Sequence, residues 1–426
     1  MTTLAVAVAW LAICFALVLG RSWTLLAGFA VLCGFAQMPL ISLFESNAVQ
    51  FIDDIPAAVL ILVGVARLLS SRERRDHLAL TVVAITLMVV AYAFVRSPDL
   101  VVGVAQARQV LLPFALAVAG FALRDMIHWR KLWNVVLVVA VLTAIWMIFE
   151  EIQQAPLVSP VWYYLETVGG TQVSMRNDLP PAYYADVAGG VVFRPGGPFM
   201  NPPVAGFILG AGAYAAMRNT LGFARISLLL IIAVALAFAT ARAGIVIFTV
   251  VTVVFLAWNK LGKFAAVIIS GAFGGYALSI FIEQGNTASH TEGLLSGVMT
   301  ALRAPLGVGF GVTGYQASLA GAEVGAGSES LLGLYFAWLG LPALLAVIAV
   351  AFGLIRGLTR VPRGESLDIW VAIAMITTAA VSESASSAAS TTALWLAVGY
   401  ALARCGKIAQ PAPNDVRAKR GSLAAH

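Results

Sequence analysis

Arginine side chains in turns rich in Gly and Pro are the residues of this chain best suited to chemistry. Arg194 stands in the segment FRPGGPFMNPPVAG, residues 193–206, directly before a long apolar run. An arginine in such a place costs free energy unless an anion needs it. Gly196 and Gly197 allow the backbone to approach a ligand closely, and Asn201 is placed to cap the helix that follows it. The segment therefore predicts a phosphate group held at a helix N-terminus.

Three further arginines extend this interpretation. Arg242 interrupts an apolar stretch in TARAG. Arg303 lies in ALRAPLGVGFGVTGY, which ends at Tyr315. Arg176 lies upstream of the Arg194 segment, after the apolar run that precedes it. Planar guanidinium groups bind diphosphate in a bidentate manner and keep their charge. The predicted substrate contacts are Arg303, Arg176, Asn201, Gly196, Gly197 and Tyr315. The alternative is that each arginine extends to lipid headgroups or pairs with a nearby carboxylate.

A carboxylate beside the last of these segments is the candidate base. Glu329 lies in GSESLLGLYFAWLG, residues 327–340, directly before an apolar run. A carboxylate there acts either as a partner of the helix dipole or as a general base that faces a sugar hydroxyl. His290, earlier in the same polar region, is the other titratable candidate. The sequence leaves this assignment open.

The composition decides the class of protein that must position these residues. The chain has 426 residues, of which 61% are hydrophobic and 11% charged, and its mean hydropathy is +0.92. Apolar runs of this length and number predict an all-α, polytopic transmembrane helical bundle. The net charge of +6 comes from basic residues in short loops, so we exclude nucleic-acid binding. Three scattered cysteines, with no CxxC spacing and no histidine cluster, predict no metal site and no disulfide framework.

The lengths of the apolar runs predict thirteen spans, with twelve as the alternative. A single transmembrane domain covers residues 1–408, and the polar tail 409–426 is predicted to be disordered. Two long loops, at about 150–201 and 283–329, are where we expect the site. The predicted spans are 3–20, 23–44, 55–70, 78–95, 107–123, 132–149, 202–217, 226–241, 243–258, 264–282, 330–355, 367–381 and 391–403.

The basic residues also predict the orientation. Lys and Arg cluster in alternate loops, the first of which is SRERRD at residues 71–76, and the positive-inside rule places these loops in the cytoplasm. The two long loops and the polar connection SESASSAASTT after Val381 then face the periplasm of a bacterial inner membrane. The apolar stretch at 226–258 is divided by Arg242, which predicts two short helices meeting at that residue.

Taken in order, these segments resemble those of the bacterial O-antigen ligase and Wzy-type polysaccharide polymerase superfamily. The resemblance rests on RPGGPFMNP before a span, TARAG one hairpin later, RAPLGVGFG, and then LGLYFAWLG after a polar cluster, over about residues 190–345. The family implies a metal-independent glycosyltransferase of the GT-C type, without a cofactor, that takes a glycan from an undecaprenyl diphosphate carrier at the periplasmic face. By matched position Arg194 and Arg242 would contact the diphosphate, and Arg303 would be a further donor contact.

One difference from the family pattern favours a particular member. Ligases of this family carry a histidine in the polar cluster where this chain reads Ser328, Glu329 and Ser330. The sequence therefore favours a polymerase of lipid-linked repeat units, which makes exopolysaccharide or O-antigen by inverting transfer. A ligase that uses another acceptor and a flippase of lipid-linked oligosaccharides are the alternatives. The expected partners are a lipid-linked glycan donor and acceptor, membrane lipids, and flippase and chain-length regulator proteins.

Overall fold

The computed structural model of this chain describes residues 2–45, 49, 51–164, 179–187, 190–262, 288–314, 330–362 and 365–408. The described part contains 14 helices longer than a single turn. They are α1 Thr2–Leu19, α2 Trp23–Phe44, α3 Asp54–Ser70, α4 Arg74–Val95, α5 Leu100–Ala122, α6 Trp129–Gln153, α7 Pro202–Asn219, α8 Gly222–Ala239, α9 Arg242–Lys260, α10 Ala288–Arg303, α11 Leu331–Leu339, α12 Leu341–Arg360, α13 Leu367–Ala379 and α14 Ala388–Ile408. The helix α9 contains one π-helical turn at Val250–Val254.

Seven of the described helices are long and apolar enough to cross a membrane, namely α2, α4, α5, α6, α8, α9 and α12. This confirms the prediction of an all-α, multi-pass membrane protein. The count of twelve or thirteen spans stays a prediction, because the predicted span 264–282 lies outside the described residues. The predicted tail 409–426 lies outside them as well.

Small residues allow the central helices to approach each other closely. A Cβ atom added to Gly120 in α5 would lie 2.0 Å from the carbonyl oxygen of Leu396 in α14, and one added to Gly399 would lie 1.7 Å from that of Ala117. Contacts between backbones at this distance replace the hydrophobic effect as the source of helix association in a membrane. They bring the backbones of α5 and α14 into direct contact.

Ion pairs gather at one end of the bundle, which we call the basic end. Asp368 at the start of α13 accepts hydrogen bonds from Arg218 at the end of α7 and from Arg404 near the end of α14, the latter at 2.6 Å. Arg124, just after α5, lies 3.0 Å from Asp76 at the start of α4. We call the opposite end, where α7 and α9 begin, the site end. These contacts place the ends of α5, α7 and α14 and the starts of α4 and α13 at the basic end.

The predicted helix break at Arg242 is confirmed. Helix α8 ends at Ala239, Thr240 adopts a left-handed conformation with φ 47°, and α9 begins at Arg242. A second break divides the predicted span 330–355, which the structure forms as α11 and α12 on either side of Gly340. Gly340 has φ +70°, and an added Cβ atom would lie 2.2 Å from the carbonyl oxygen of Pro305, so no other residue fits this turn.

The two predicted loops contain more regular structure than the sequence indicates. In the first, β1 Tyr184–Val187 pairs antiparallel with β2 Gly190–Phe193, with Tyr184 opposite Phe193. In the second, residues 288–303 form α10. Its apolar residues recur every three or four positions, as in Leu294, Val298 and Leu302, so it is amphipathic. It contains no long continuous apolar run, so apolar length alone does not indicate it.

Candidate functional site

Glu150, near the end of α6, holds the turn that carries Arg194. Glu150 is 1% exposed, and its Oε2 accepts a hydrogen bond of 2.8 Å from the backbone N–H of Gly197. Its Oε1 accepts from the indole N–H of Trp146 at 2.9 Å and from the N–H of Leu157 at 3.2 Å. A buried carboxylate needs several donors of this kind. The turn therefore has a fixed position on α6.

Gly196 and Gly197 are predicted to leave room for a ligand, but protein atoms fill that room. A Cβ atom on Gly197, which has φ +56°, would lie 2.8 Å from Cγ of Met147. One on Gly196 would lie 2.8 Å from the hydroxyl of Tyr183 and 2.9 Å from the N–H of Asn201. Gly196 is thus needed for packing, and Gly197 is needed both for packing and for its left-handed backbone conformation. The Gly197 N–H already binds Glu150, so it is not a donor for a phosphate.

Asn201 caps α7 as predicted. Its Oδ1 accepts a hydrogen bond of 3.2 Å from the N–H of Val204, and α7 begins at the next residue, Pro202. The hydroxyl of Tyr164 donates to the carbonyl oxygen of Met200 at 3.0 Å, which fixes the residue before the cap. The positive end of the α7 dipole therefore has a defined position at the site end.

Arg194 fastens this turn to the break between α8 and α9. Its Nε donates a hydrogen bond of 2.8 Å to the carbonyl oxygen of Ala239, and its Nη2 lies 3.5 Å from that of Thr240. Carbonyl groups at the end of a helix lack partners within the helix, and a guanidinium group satisfies them well. Arg194 therefore has a structural role that the sequence does not indicate. Its Nη1 group is not used in these bonds.

Arg242 lies close enough to Arg194 for the two charges to repel each other. Burial, together with this repulsion, lowers the pKa of Arg194 to about 10, so its guanidinium group stays charged at any physiological pH. Helix packing imposes this proximity, because Gly244 in α9 lies directly against Gly206 in α7. A Cβ atom added to Gly244 would lie 2.4 Å from the carbonyl oxygen of Gly206. The structure therefore brings two of the predicted arginines together.

This pair of charges lies between two helix N-termini. Asn201 precedes the first residue of α7, and Arg242 is the first residue of α9, so the positive ends of both dipoles are at the site end. Among the described residues no carboxylate forms an ion pair with Arg194. Positive charge of this density suits an anion with two negative groups, such as a diphosphate.

Tyr183 contributes a buried phenol next to this turn. Its side chain is fully buried, and in the described part of the chain its hydroxyl has no hydrogen-bond partner. Burial, and secondarily the charge of Glu150, raise the pKa of Tyr183 well above its ordinary value, so the hydroxyl stays a neutral donor. The ring is completely covered, so it offers no face on which a sugar could stack.

Arg303 is not brought to this pair by any described contact. It is exposed at the end of α10, and the segment after it packs against the turn between α4 and α5. There the Nη1 of Arg96 donates to the carbonyl oxygen of Gly307 at 2.7 Å, and the N–H of Phe310 donates to that of Ala93 at 3.2 Å. Arg176, Tyr315 and Glu329 lie outside the described residues, and so does the side chain of His290.

Sequence reasoning missed Glu150 as the support of the Arg194 turn. Its position at the end of an apolar run, beside Glu151, reads as an ordinary helix end. Only the fold shows that Glu150 faces inward and that Glu151 is partly exposed. Within the described residues no group of three or more His, Cys, Asp or Glu side chains is placed to hold a metal ion.

No family model matches the chain, and a comparison with curated proteins also gives no match.

Proposed function

We propose that this protein is a membrane glycosyltransferase that polymerises oligosaccharide repeat units carried on undecaprenyl diphosphate. The observation that carries the proposal is the proximity of Arg194 and Arg242 at a break between two helices. Two like charges held close together by helix packing repel each other, and an anion bound between or beside them relieves this repulsion. The resemblance of the segments around both arginines to the ligase and polymerase superfamily supports a prenyl diphosphate as that anion.

The chemistry required of such a site is limited. Transfer at an anomeric carbon needs a leaving group that is stabilised as it gains negative charge, and fixed guanidinium groups supply this. The guanidinium group of Arg194 is held by carbonyl oxygens, and the backbone of Arg242 is fixed at the start of α9, which limits the reorganisation needed when the charge develops. Attack by the acceptor hydroxyl opposite the diphosphate inverts the anomeric centre.

Location is part of the proposal. The seven long apolar helices support a multi-pass membrane protein, and the basic residues of the basic end support its placement in the cytoplasm. We propose that the site end faces the periplasm across the inner membrane, where lipid-linked repeat units are assembled into polymers.

Incubation with a lipid-linked donor tests the proposal. The substrate is the lipid-linked repeat unit that accumulates in cells from which this gene is deleted, and the purified protein is reconstituted in liposomes. We expect a ladder of lipid-linked products that differ by one repeat unit, with one prenyl diphosphate released for each new linkage. Movement of the unchanged substrate across the bilayer without any ladder would instead support a transporter.

A further inference from the structure

The connection between α13 and α14 lies inside the helical bundle. It contains a 3-10 turn, Glu383–Ser386, that contacts α5, α7, α11 and α13. The indole N–H of Trp395 donates to the carbonyl oxygen of Ala385 at 2.8 Å, and the hydroxyl of Thr391 lies 3.3 Å from the same oxygen. Irregular backbone at membrane depth occurs only where it is enclosed by protein or lines a polar cavity. This turn is held rigidly, and Glu383 within it is half-buried.

The depth of the turn follows from α5. The Nε2 of Gln109 donates a hydrogen bond of 3.2 Å to Oε1 of Glu383. Gln109 lies nine residues after Leu100, the first residue of α5, which is about 14 Å along the helix axis. Glu383 is therefore well below the site end of α5. An ionisable residue at such a depth indicates a functional site by default.

The turn is also near the level of Arg242. The rings of Trp258 in α9 and Trp370 in α13 are in contact, with centroids 5.6 Å apart, and the early part of α9 also contacts α13, so the two helices are antiparallel. Ala379 lies nine residues after Trp370, and Thr249 lies nine residues before Trp258, so these two residues are at the same level. Arg242 is seven residues before Thr249, which is about 10 Å farther toward the site end. The turn begins just after Ala379 and continues on that side.

Gln109 is arranged to serve both protonation states of Glu383. Its Nε2 donates to the carboxylate, whereas its Oε1 is buried without a hydrogen-bond partner in the described part of the chain. A buried unsatisfied acceptor is unfavourable in the resting state. After rotation of the amide by a half-turn, that oxygen accepts a hydrogen bond from the protonated acid. The pair therefore stabilises Glu383 before and after it takes up a proton.

We propose that Glu383 is the general base of the transfer reaction; this inference rests on the function proposed above. The acceptor hydroxyl oxygen forms a bond to the anomeric carbon of the donor while the bond from that carbon to the diphosphate oxygen breaks. The electron pair of that bond leaves on the diphosphate, beside Arg194 and Arg242. The hydroxyl proton passes to a carboxylate oxygen of Glu383. Gln109 is a positioning residue that holds the carboxylate through the amide.

In this assignment the base and the arginines that bind the leaving group lie on different elements. The arginines come from the Arg194 turn and the start of α9, whereas Glu383 comes from the turn between α13 and α14. Acceptor and donor then approach from different sides of one site, as an in-line displacement requires. Glu329, the base predicted from the sequence, is the competing candidate.

The test measures transfer and donor binding separately in Glu383→Gln, with farnesyl diphosphate as the binding probe. We expect kcat for repeat-unit transfer to fall roughly 10²–10⁴-fold while the affinity for farnesyl diphosphate stays within a factor of about two. Glu383→Asp keeps the charge and should retain intermediate activity. Gln109→Leu should lower kcat without raising KM for the donor. The matched control is Glu45→Gln, an exposed carboxylate at the site end, which should be fully active.

Each outcome decides the proposal. Normal turnover by Glu383→Gln, or a loss of activity in Glu329→Gln alone, would overturn the role of Glu383 and leave the proposed glycosyl transfer intact. Loss of farnesyl diphosphate binding in Glu383→Gln would assign the residue to the donor site and would also overturn its role as base. If Glu383→Gln cannot be purified, full activity in both Glu383→Asp and Gln109→Leu would overturn it. A wild-type protein without any transfer activity would instead contradict the proposed function.

Discussion

Arg194 holds the end of α8 and, in the function proposed here, also binds the diphosphate. Its Nε and Nη2 bind the carbonyl groups that end α8, and its remaining donors are free of ion pairs among the described residues. A guanidinium group can do both because it presents five donors in a fixed plane. A lysine has three donors on one nitrogen and cannot bind the carbonyl groups along one edge while it offers a planar, bidentate edge to a diphosphate.

Arg194→Lys should therefore lower kcat/KM for transfer by roughly 10–100-fold, because a charge-assisted bidentate contact is lost. The matched control is Arg225→Lys. Arg225 donates its Nε, at 2.9 Å, and its Nη2 to the carbonyl oxygen of Thr220, at the other end of α8. Both variants should show a similar small decrease in Tm in detergent. Equal activities of the two variants would mean that Arg194 only holds the backbone.

The substitution Glu150→Gln tests whether Glu150 holds the turn that carries Arg194. The amide can still accept from the indole of Trp146, but its NH2 group cannot accept the hydrogen bond of the Gly197 N–H. We expect the free energy of unfolding to fall by about 1–3 kcal/mol and the transfer activity to fall with it. Glu151→Gln, at the neighbouring and partly exposed position, should change neither. Thermal melting in detergent and the transfer assay measure both effects, and unchanged values for Glu150→Gln would contradict the role of Glu150.

At the scale of elements, the close contact between α7 and α9 sets the position of Arg242. Gly206 and Gly210 in α7 form a GxxxG pattern, and Gly244 in α9 lies against Gly206. The helix break is two residues before Gly244, so any shift of α9 moves Arg242 relative to Arg194. Helix packing and the site are thus directly coupled.

Gly244→Ala should separate α7 from α9, because the new methyl group would lie 2.4 Å from the carbonyl oxygen of Gly206. Overpacking of this kind costs about 1–3 kcal/mol. We expect a lower Tm and a larger fall in transfer activity. Gly353→Ala in α12 is the matched control, since its methyl group would only reach Leu402 at 3.9 Å, and it should keep the Tm or raise it slightly. Equal Tm values for Gly244→Ala and Gly353→Ala would contradict the close packing of α7 against α9 at Gly244.

At the scale of the whole molecule, the sequence predicts the class of fold and the break at Arg242, because apolar length and an isolated arginine are local signals. It also predicts the cap at Asn201. It cannot predict that Glu150 faces inward or that Glu383 lies deep in the bundle, because burial at a helix end depends on neighbours distant in sequence. The amphipathic helix α10 and the break at Gly340 are not apparent from the lengths of continuous apolar runs, because one has a mixed pattern and the other lies inside such a run.

The orientation of the whole molecule is tested by thiol labelling. Ser159→Cys at the site end and Leu221→Cys at the basic end are both exposed positions, and a Cys405→Ala background removes the only native cysteine of the described part that is not buried. We expect a membrane-impermeant maleimide to label Ser159→Cys in cells with a permeabilised outer membrane, and Leu221→Cys only after lysis. The reverse pattern would place the site in the cytoplasm.

The central claim is that Arg194 and Arg242 together bind a diphosphate. The most direct measurement is calorimetric titration of the purified wild type and of Arg242→Lys with farnesyl diphosphate and farnesyl monophosphate. We predict that the wild type prefers the diphosphate by roughly tenfold or more and that Arg242→Lys loses most of this preference, since one charge-assisted contact contributes about 1.5–3 kcal/mol. Equal affinity of the wild type for the two ligands, or an unchanged preference in Arg242→Lys, would contradict the claim.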